Sequence, residues 1–327
     1  MNVKQSRRGF LQTVSVLACG AATAGAVPAP AVAQEPIAKV GGSYLKVSLN
    51  AYSFSKMLND FNKHRGAGIS LMALLEFCAK NNFDAIDATG YFFPTYPEVP
   101  PDEYVNDFKR KAFSLGLDIS GTGVRNNFTT AEAPTRIEGV QHIKQWVEVA
   151  ARLGAPVLRV FADTQIKGMS WKDVAKGNSR EQVQAWIVDA LSQCAEHGKK
   201  YGVIIGVQNH GDFLQTGDQL LSLVNAVNSP WCGAIVDTGY FKSDDPYRDM
   251  AQVAPYAVNW QIKQSPMGQD SDVKTDLVKL IKIVRASGYR GYLPIETLSP
   301  KAKENYDAFT VVPAFLKELR EAIAKTA

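Results

Sequence analysis

Residues Val203–Asp212 read V-I-I-G-V-Q-N-H-G-D, an apolar run of strand length that stops abruptly at Gln208, Asn209 and His210. A short continuous apolar run without two-residue alternation marks a strand covered on both faces, as in a parallel sheet. Polar groups bunched at the end of such a strand are costly to bury unless they have partners or a task. The stretch therefore predicts a buried parallel strand whose C-terminal end is one wall of a site.

Working outward, comparable β-rich runs occur at Lys46–Asn50, Ala85–Ala88, Leu117–Gly121, Val157–Phe161, Gly233–Asp237, Ala257–Ile262 and Tyr292–Glu296, so that with Val203–Gln208 there are eight candidate strands. Segments with apolar residues at i, i+3, i+4 and i+7 lie between them. Their ends are marked: Ser70 before Leu71–Asn81, Pro101-Asp102-Glu103 opening a helix to Leu115, and Gly154 after Thr135–Leu153. Gly202 follows Ser179–Tyr201, Thr216 precedes a helix through Val227, Asp245-Pro246 opens another, Gly288 follows Thr275–Ser287, and Asn305–Lys325 is the last. Eight alternating β and α units predict a single (β/α)8 TIM barrel, parallel strands with outer helices, over an open doubly wound sheet. No G-x-G-x-x-G follows a strand, which also disfavours a dinucleotide fold. Tyr91–Pro101 and Asp163–Asn178 are long βα loops and candidate lids.

The N-terminus is set apart from the fold. Ser6-Arg7-Arg8-Gly9-Phe10-Leu11 followed by the apolar stretch Leu11–Val27 is a twin-arginine export pattern, and Ala31-Val32-Ala33 fits a cleavage site. Lipidation at Cys19 is the alternative, which Leu17 fits poorly. The organisation expected is a leader over residues 1–33, a linker over 34–43 and a barrel over 44–327, with the mature protein in the periplasm. Losing Lys4, Arg7 and Arg8 and no acidic residue takes the formal charge from +4 to +1, which gives no electrostatic case for nucleic acid or membrane binding. No later segment approaches the ~20 apolar residues of a membrane span. Cys78, Cys194 and Cys232 lack C-x-x-C spacing and read as small buried hydrophobes.

In a barrel, chemistry gathers at the C-terminal strand ends. That test selects Asn50, Asp87, Arg125 with Asn126, Arg159, Gln208 with Asn209 and His210, Asp237, Gln261 with Lys263, and Glu296. Each also has a bland reading. Asp237 before Thr238-Gly239 suits an Asx turn, His210 a satisfied loop histidine, and Lys263 a side chain reaching solvent. Glu296 is less easily explained away, because a buried strand end rarely carries a lone carboxylate. In W-Q-I-K, Gln261 and Lys263 share a face. Arg159 interrupts an apolar strand, which suits either a substrate contact or an ion pair to Asp87.

The segments I-G-V-Q-N-H-G-D-F, G-A-I-V-D-T-G-Y-F, V-N-W-Q-I-K and G-Y-R-G-Y-L-P-I-E, in this order and spacing, resemble the second half of the xylose isomerase-like TIM barrels. That superfamily includes sugar isomerases and epimerases, inosose dehydratases, keto-glycoside lyases and hydrolases, and endonuclease IV. In its sugar branch one divalent metal is held by a Glu, an Asp, a His and a Glu after strands five to eight. Carried over position by position, the resemblance implies a metal set of Gln208, Asp237, Gln261 and Glu296, with Mg2+ or Mn2+ favoured over zinc. Two of the four depart from the pattern, and Gln208 cannot take part in a two-carboxylate proton exchange. Glu296 or His210 then removes the proton, and Lys263 serves as counter-acid or oxyanion stabiliser.

The resemblance implies an exported, metal-assisted enzyme acting next to the carbonyl of a non-phosphorylated keto-sugar or 3-keto-glycoside, by epimerisation, isomerisation or β-elimination. Asn50, Arg125, Asn126, Arg159 and Asn209 are the candidate substrate contacts, and Glu296, His210 and Lys263 the catalytic ones. The alternative is a periplasmic sugar-binding barrel that has lost catalysis. The expected partner is a small sugar, with no nucleic acid and no membrane span, and a homo-oligomer is left open.

Overall fold

Eight parallel strands close into a barrel in sequence order. They are β1 (Tyr44–Asn50), β2 (Ala85–Asp87), β3 (Asp118–Gly123), β4 (Val157–Phe161), β5 (Ile204–Gln208), β6 (Cys232–Asp237), β7 (Ala257–Lys263) and β8 (Arg290–Glu296), with β8 pairing back onto β1. The computed structural model describes residues 35–268, 271–298 and 306–327. The twin-arginine leader expected over residues 1–33 lies outside the described residues.

Helices wrap the barrel between successive strands. After β1 come α1 (Ser55–Asn62) and α2 (Leu71–Lys80), then α3 (Asp102–Ser114), α4 (Ala133–Leu153), α5 (Trp171–Ala175) with α6 (Arg180–Tyr201), α7 (Gly217–Val227), α8 (Pro246–Val253), α9 (Leu277–Ala286) and α10 (Ala308–Lys325). Ser70, Ser179 and Thr216 accept hydrogen bonds from the backbone N–H groups of Ala73, Gln182 and Gln219, as N-caps should. Gly154 and Gly202 end α4 and α6 in the left-handed conformation. The helix expected from Thr275 begins instead at Leu277, because Asp276 accepts the N–H of Lys279 while the Thr275 hydroxyl donates to the Lys263 carbonyl. Helix α10 likewise starts at Ala308 under an Asp307 cap, later than expected. The long loop after β4 contains α5, held by a Ser170–Asp173 capping box that its sequence already carried.

The two faces of the strands have different destinies. Leu49, Ile86, Leu158, Ile205, Val207, Ile262 and Ile295 are fully buried and belong to the core shared with the helices. Each such side chain contributes about 1.5–3 kcal/mol by leaving water. The alternate residues turn into the barrel, where space is short. A Cβ at Gly206 would lie 2.5 Å from the Ile235 Cδ1 and 2.9 Å from the Val157 Cγ1, which accounts for the glycine inside the V-I-I-G-V-Q strand. Above that apolar plug, the inward positions are polar on strand after strand. Lateral register sets Asp237 beside Gln261 and Lys263 beside Glu296. Cys78, Cys194 and Cys232 are buried, as expected. Among the described residues no helix is long and apolar enough to cross a membrane.

Candidate active site

The first polar layer above the plug is a closed network. Gln261 spans the barrel, accepting from Asn50 Nδ2 at 2.7 Å and donating from Nε2 to Asp87 Oδ2 at 3.2 Å. The Thr89 hydroxyl and the Tyr52 N–H donate to Asn50 Oδ1 at 3.0 and 2.8 Å. Burial pushes the Asp87 carboxyl up to about 6, against the pull of Arg159. Gln261 is thus committed to β1 and β2 and lies one layer beneath Lys263.

Lys263 lies in the next layer, with only 6% of its surface exposed. Its Nζ is 2.5 Å from Glu296 Oε1 and 3.4 Å from Asp237 Oδ2. The backbone holds it there: its N–H donates to the Thr238 hydroxyl at 2.8 Å, and its carbonyl accepts from Thr275 at 2.8 Å. Its stem passes so close to Gly239 that a Cβ there would meet the Lys263 Cγ at 2.9 Å. Burial alone would lower the Lys263 pKa, yet the Asp237 and Glu296 carboxylates hold it above its ordinary value, so the amine stays charged. Asp237 is fully buried and makes the turn of its bland reading while also pairing with the neighbouring strands. Its Oδ1 accepts from the Gly239 N–H at 3.0 Å, an Asx turn, while Oδ2 faces Lys263 and accepts from Gln208 Nε2 at 2.5 Å. The Gln208 Oε1 is buried and has no hydrogen-bond partner among the described residues.

Two residues expected to touch substrate are committed to the wall instead. Asn209 donates to the Asp237 carbonyl at 2.9 Å and accepts the Asp237 N–H at 2.7 Å, tying β5 to β6. Asn126 does the same for Phe161, with both bonds at 2.8 Å. Neither side chain lines the cavity. An Asn whose donor and acceptor ends are both taken by strand backbone has little left to offer a ligand.

His210, immediately after Asn209, faces the opposite way, into the cavity. Its Nδ1 is 2.7 Å from Asp163 Oδ2, and its ring stacks on Tyr240 at 4.2 Å between centroids, with Phe161 at 4.7 Å. Asp163 is itself fixed by Gln165 Nε2 at 2.5 Å. Gly211, at φ 71°, is required by this pairing, since a Cβ there would collide with the Asp163 carboxylate. A carboxylate on Nδ1 leaves Nε2 for the cavity. Asp163 escaped the sequence reading, although a carboxylate two residues past β4 was a usable signal.

Arg159 is buried and forms no ion pair among the described residues, so the salt bridge to Asp87 that its sequence reading offered is not made and Asp87 acts on it only through space. Its guanidinium donates to the Tyr91 hydroxyl at 2.7 Å and lies 4.1 Å over the Phe161 ring. Arg125 lies 4.9 Å over the other ring in the group, Tyr91. Both candidate lid loops supply walls: Tyr91 from one, Gln165 from the other. The cavity at the barrel mouth has a volume of about 140 Å3 and is bounded by Asn50, Arg159, Gln208, His210, Lys263 and Glu296 among others. Past Tyr240, Lys263, Glu296 and Leu298 it adjoins a larger hollow of about 350 Å3 with apolar walls at Val311 and Phe315.

The donor set does not fit a divalent ion as the family pattern would hold it. The two carboxylates flank an ammonium, Gln208 presents its donor end to Asp237, and the Gln261 oxygen is taken by Asn50. Among the described residues no three His, Cys, Asp or Glu side chains gather as ligands.

Comparison with known proteins agrees with this architecture. The family model of the xylose isomerase-like TIM barrel matches residues 75–319. A D-allulose 3-epimerase from Methylomonas sp. superposes with a TM-score of 0.68 at 15% identity, over 86% of this chain and 98% of that one. A 3-keto-D-glucoside 4-epimerase from E. coli gives 0.61 at 13%, over 87% and 98%. The IOLI protein, described with a bound zinc atom, gives 0.66 at 15%, over 86% and 99%. At these identities the likeness is one of fold. No curated protein sequence matches the chain. The chain belongs to the xylose isomerase-like TIM barrel family.

Proposed function

We propose that this protein is an exported enzyme of the sugar isomerase and epimerase kind, which removes a proton next to the carbonyl of a non-phosphorylated keto-sugar or 3-keto-glycoside. The observation that carries the reading is a base and a fixed cation lining one small cavity. His210, oriented by Asp163, presents Nε2; Lys263 presents its ammonium beside Glu296. His210 takes the proton from the carbon beside the carbonyl, and Asp163 stabilises the imidazolium so formed. The electron pair moves onto the carbonyl oxygen, where the Lys263 ammonium offsets the charge. Return of the proton to a neighbouring atom gives isomerisation, and loss of a β-substituent gives elimination. Arg159, with donors to spare, and the unpartnered Gln208 oxygen suit the hydroxyl groups of a sugar.

Deuterium exchange tests this directly. The protein is incubated in D2O with keto-sugars and 3-keto-glucosides, and label at the carbon beside the carbonyl is followed by NMR. Exchange that His210→Asn abolishes supports the reading, and exchange undiminished in that variant sinks it. Gln208 and Gln261, neutral where the family pattern has charged or basic ligands, favour a second reading, a sugar-binding barrel without catalysis; calorimetric binding of those sugars with no exchange would select it. Export belongs to the proposal too, and retention of an Arg7→Lys, Arg8→Lys variant in the cytoplasm is the expected result of fractionation.

A further inference from the structure

We propose that the Lys263 ammonium takes the place of the divalent ion, so that this barrel carries its own fixed cation and works without a metal. The placement is specific. The two carboxylates left from the four-residue pattern, Asp237 and Glu296, both turn their oxygens to one Nζ, at 3.4 and 2.5 Å. A cation in contact with both carboxylates excludes a second one by repulsion and by volume.

The other two positions have changed in step. Gln208 offers Nε2 to Asp237 and so acts as one more donor to that carboxylate, which leaves its uncharged Oε1 as the side chain's one remaining acceptor in place of a carboxylate ligand. Gln261 is drawn down to Asn50 and Asp87, out of the cavity lining. Around Lys263 the fold is arranged for the stem: Gly239 leaves room beside Cγ, and Thr238 and Thr275 fix the backbone on both sides. The role of this charge in turnover, stabilising the developing enolate, rests on the proton-abstraction reading. Its place between the carboxylates does not.

Mn2+ binding separates the two. Free Mn2+ is measured by electron paramagnetic resonance as purified full-length protein is added, for the wild type and for Lys263→Ala and Glu296→Gln. The wild type is expected to bind no stoichiometric Mn2+ in the millimolar range, and Lys263→Ala to bind it at least about tenfold more tightly, because the repulsion is gone. One Mn2+ per wild-type chain, lost in Glu296→Gln, would overturn the proposal, as would a folded Lys263→Ala that binds no better than the wild type. Neither readout involves turnover, so a failure of the proton-abstraction reading would leave this result standing.

Discussion

Replacing Lys263 with Met keeps most of the side-chain volume and removes the charge between two buried carboxylates. At an effective dielectric constant of about 20, a unit charge at 2.5 and 3.4 Å from the Glu296 and Asp237 oxygens is worth on the order of 5–7 kcal/mol for each pair. Much of that offsets desolvation, so the measurable loss follows the usual cost of removing one partner from a buried pair, about 3–5 kcal/mol. The loss must also depend on pH in a definite direction. Without the ammonium, Asp237, whose carboxyl burial already raises, loses the charge that pulls it down, so its folded pKa rises further above that of the unfolded chain. The variant's stability is then recovered as pH falls and lost as pH rises through that folded value. Urea denaturation followed by tryptophan fluorescence should show the full deficit at pH 8 and a deficit smaller by about 2 kcal/mol at pH 5. A deficit under about 1 kcal/mol at pH 8, or one equal at the two pH values, would refute the placement of this charge.

Asp163→Asn should leave sugar binding nearly intact while slowing deuterium exchange by about a hundredfold or more, since an amide no longer fixes the His210 tautomer; a pure structural role would instead weaken binding in calorimetry. Asp87 is held protonated up to about 6 by burial, so the folded state binds an extra proton between its unfolded pKa of 3.8 and that value, and stability falls as pH rises through the window. The curve of stability against pH for Asp87→Asn should therefore be flatter there by about 2–3 kcal/mol, and parallel curves would contradict the shift. Gly239→Ala, whose Cβ would press on the Lys263 Cγ at 2.9 Å, should cost about 1–3 kcal/mol in the same assay. Thr216→Ala removes the cap of α7 and should cost about 1 kcal/mol without changing exchange rates.

The barrel was legible because its signals are local. A both-faces-buried strand needs a continuous apolar run, and the helix ends carry Ser, Thr and Gly at the caps, so composition and punctuation place each unit to within a few residues. The strand-end rule also found the polar crater. It could not sort that crater into wall and cavity, because the sorting depends on partners far away in sequence. Asn209 and His210 are adjacent, yet one is tied to the backbone of Asp237 and the other is aimed by Asp163. Lys263 shows the same limit differently: strand parity put it on the face of Gln261, but its reach past Gly239 to two carboxylates is a matter of length and packing.

Once the geometry is known, the two glutamines stop being separate departures from a pattern. A carboxylate at 208 in the present Gln208 pose would stand 2.5 Å from the Asp237 carboxylate, making three negative charges around one ammonium. A divalent ion leaves only one of those charges uncancelled, whereas a single lysine leaves two. A neutral amide at 208 relieves the excess and, through its N–H, adds a hydrogen bond to Asp237. At 261 the same choice of amide lets one side chain accept from Asn50 and donate to Asp87 at once, as a buried cross-barrel link requires. The amides at both positions and the ammonium between the carboxylates are therefore one electrostatic solution, in which two carboxylates rather than three share the single positive charge available to hold them.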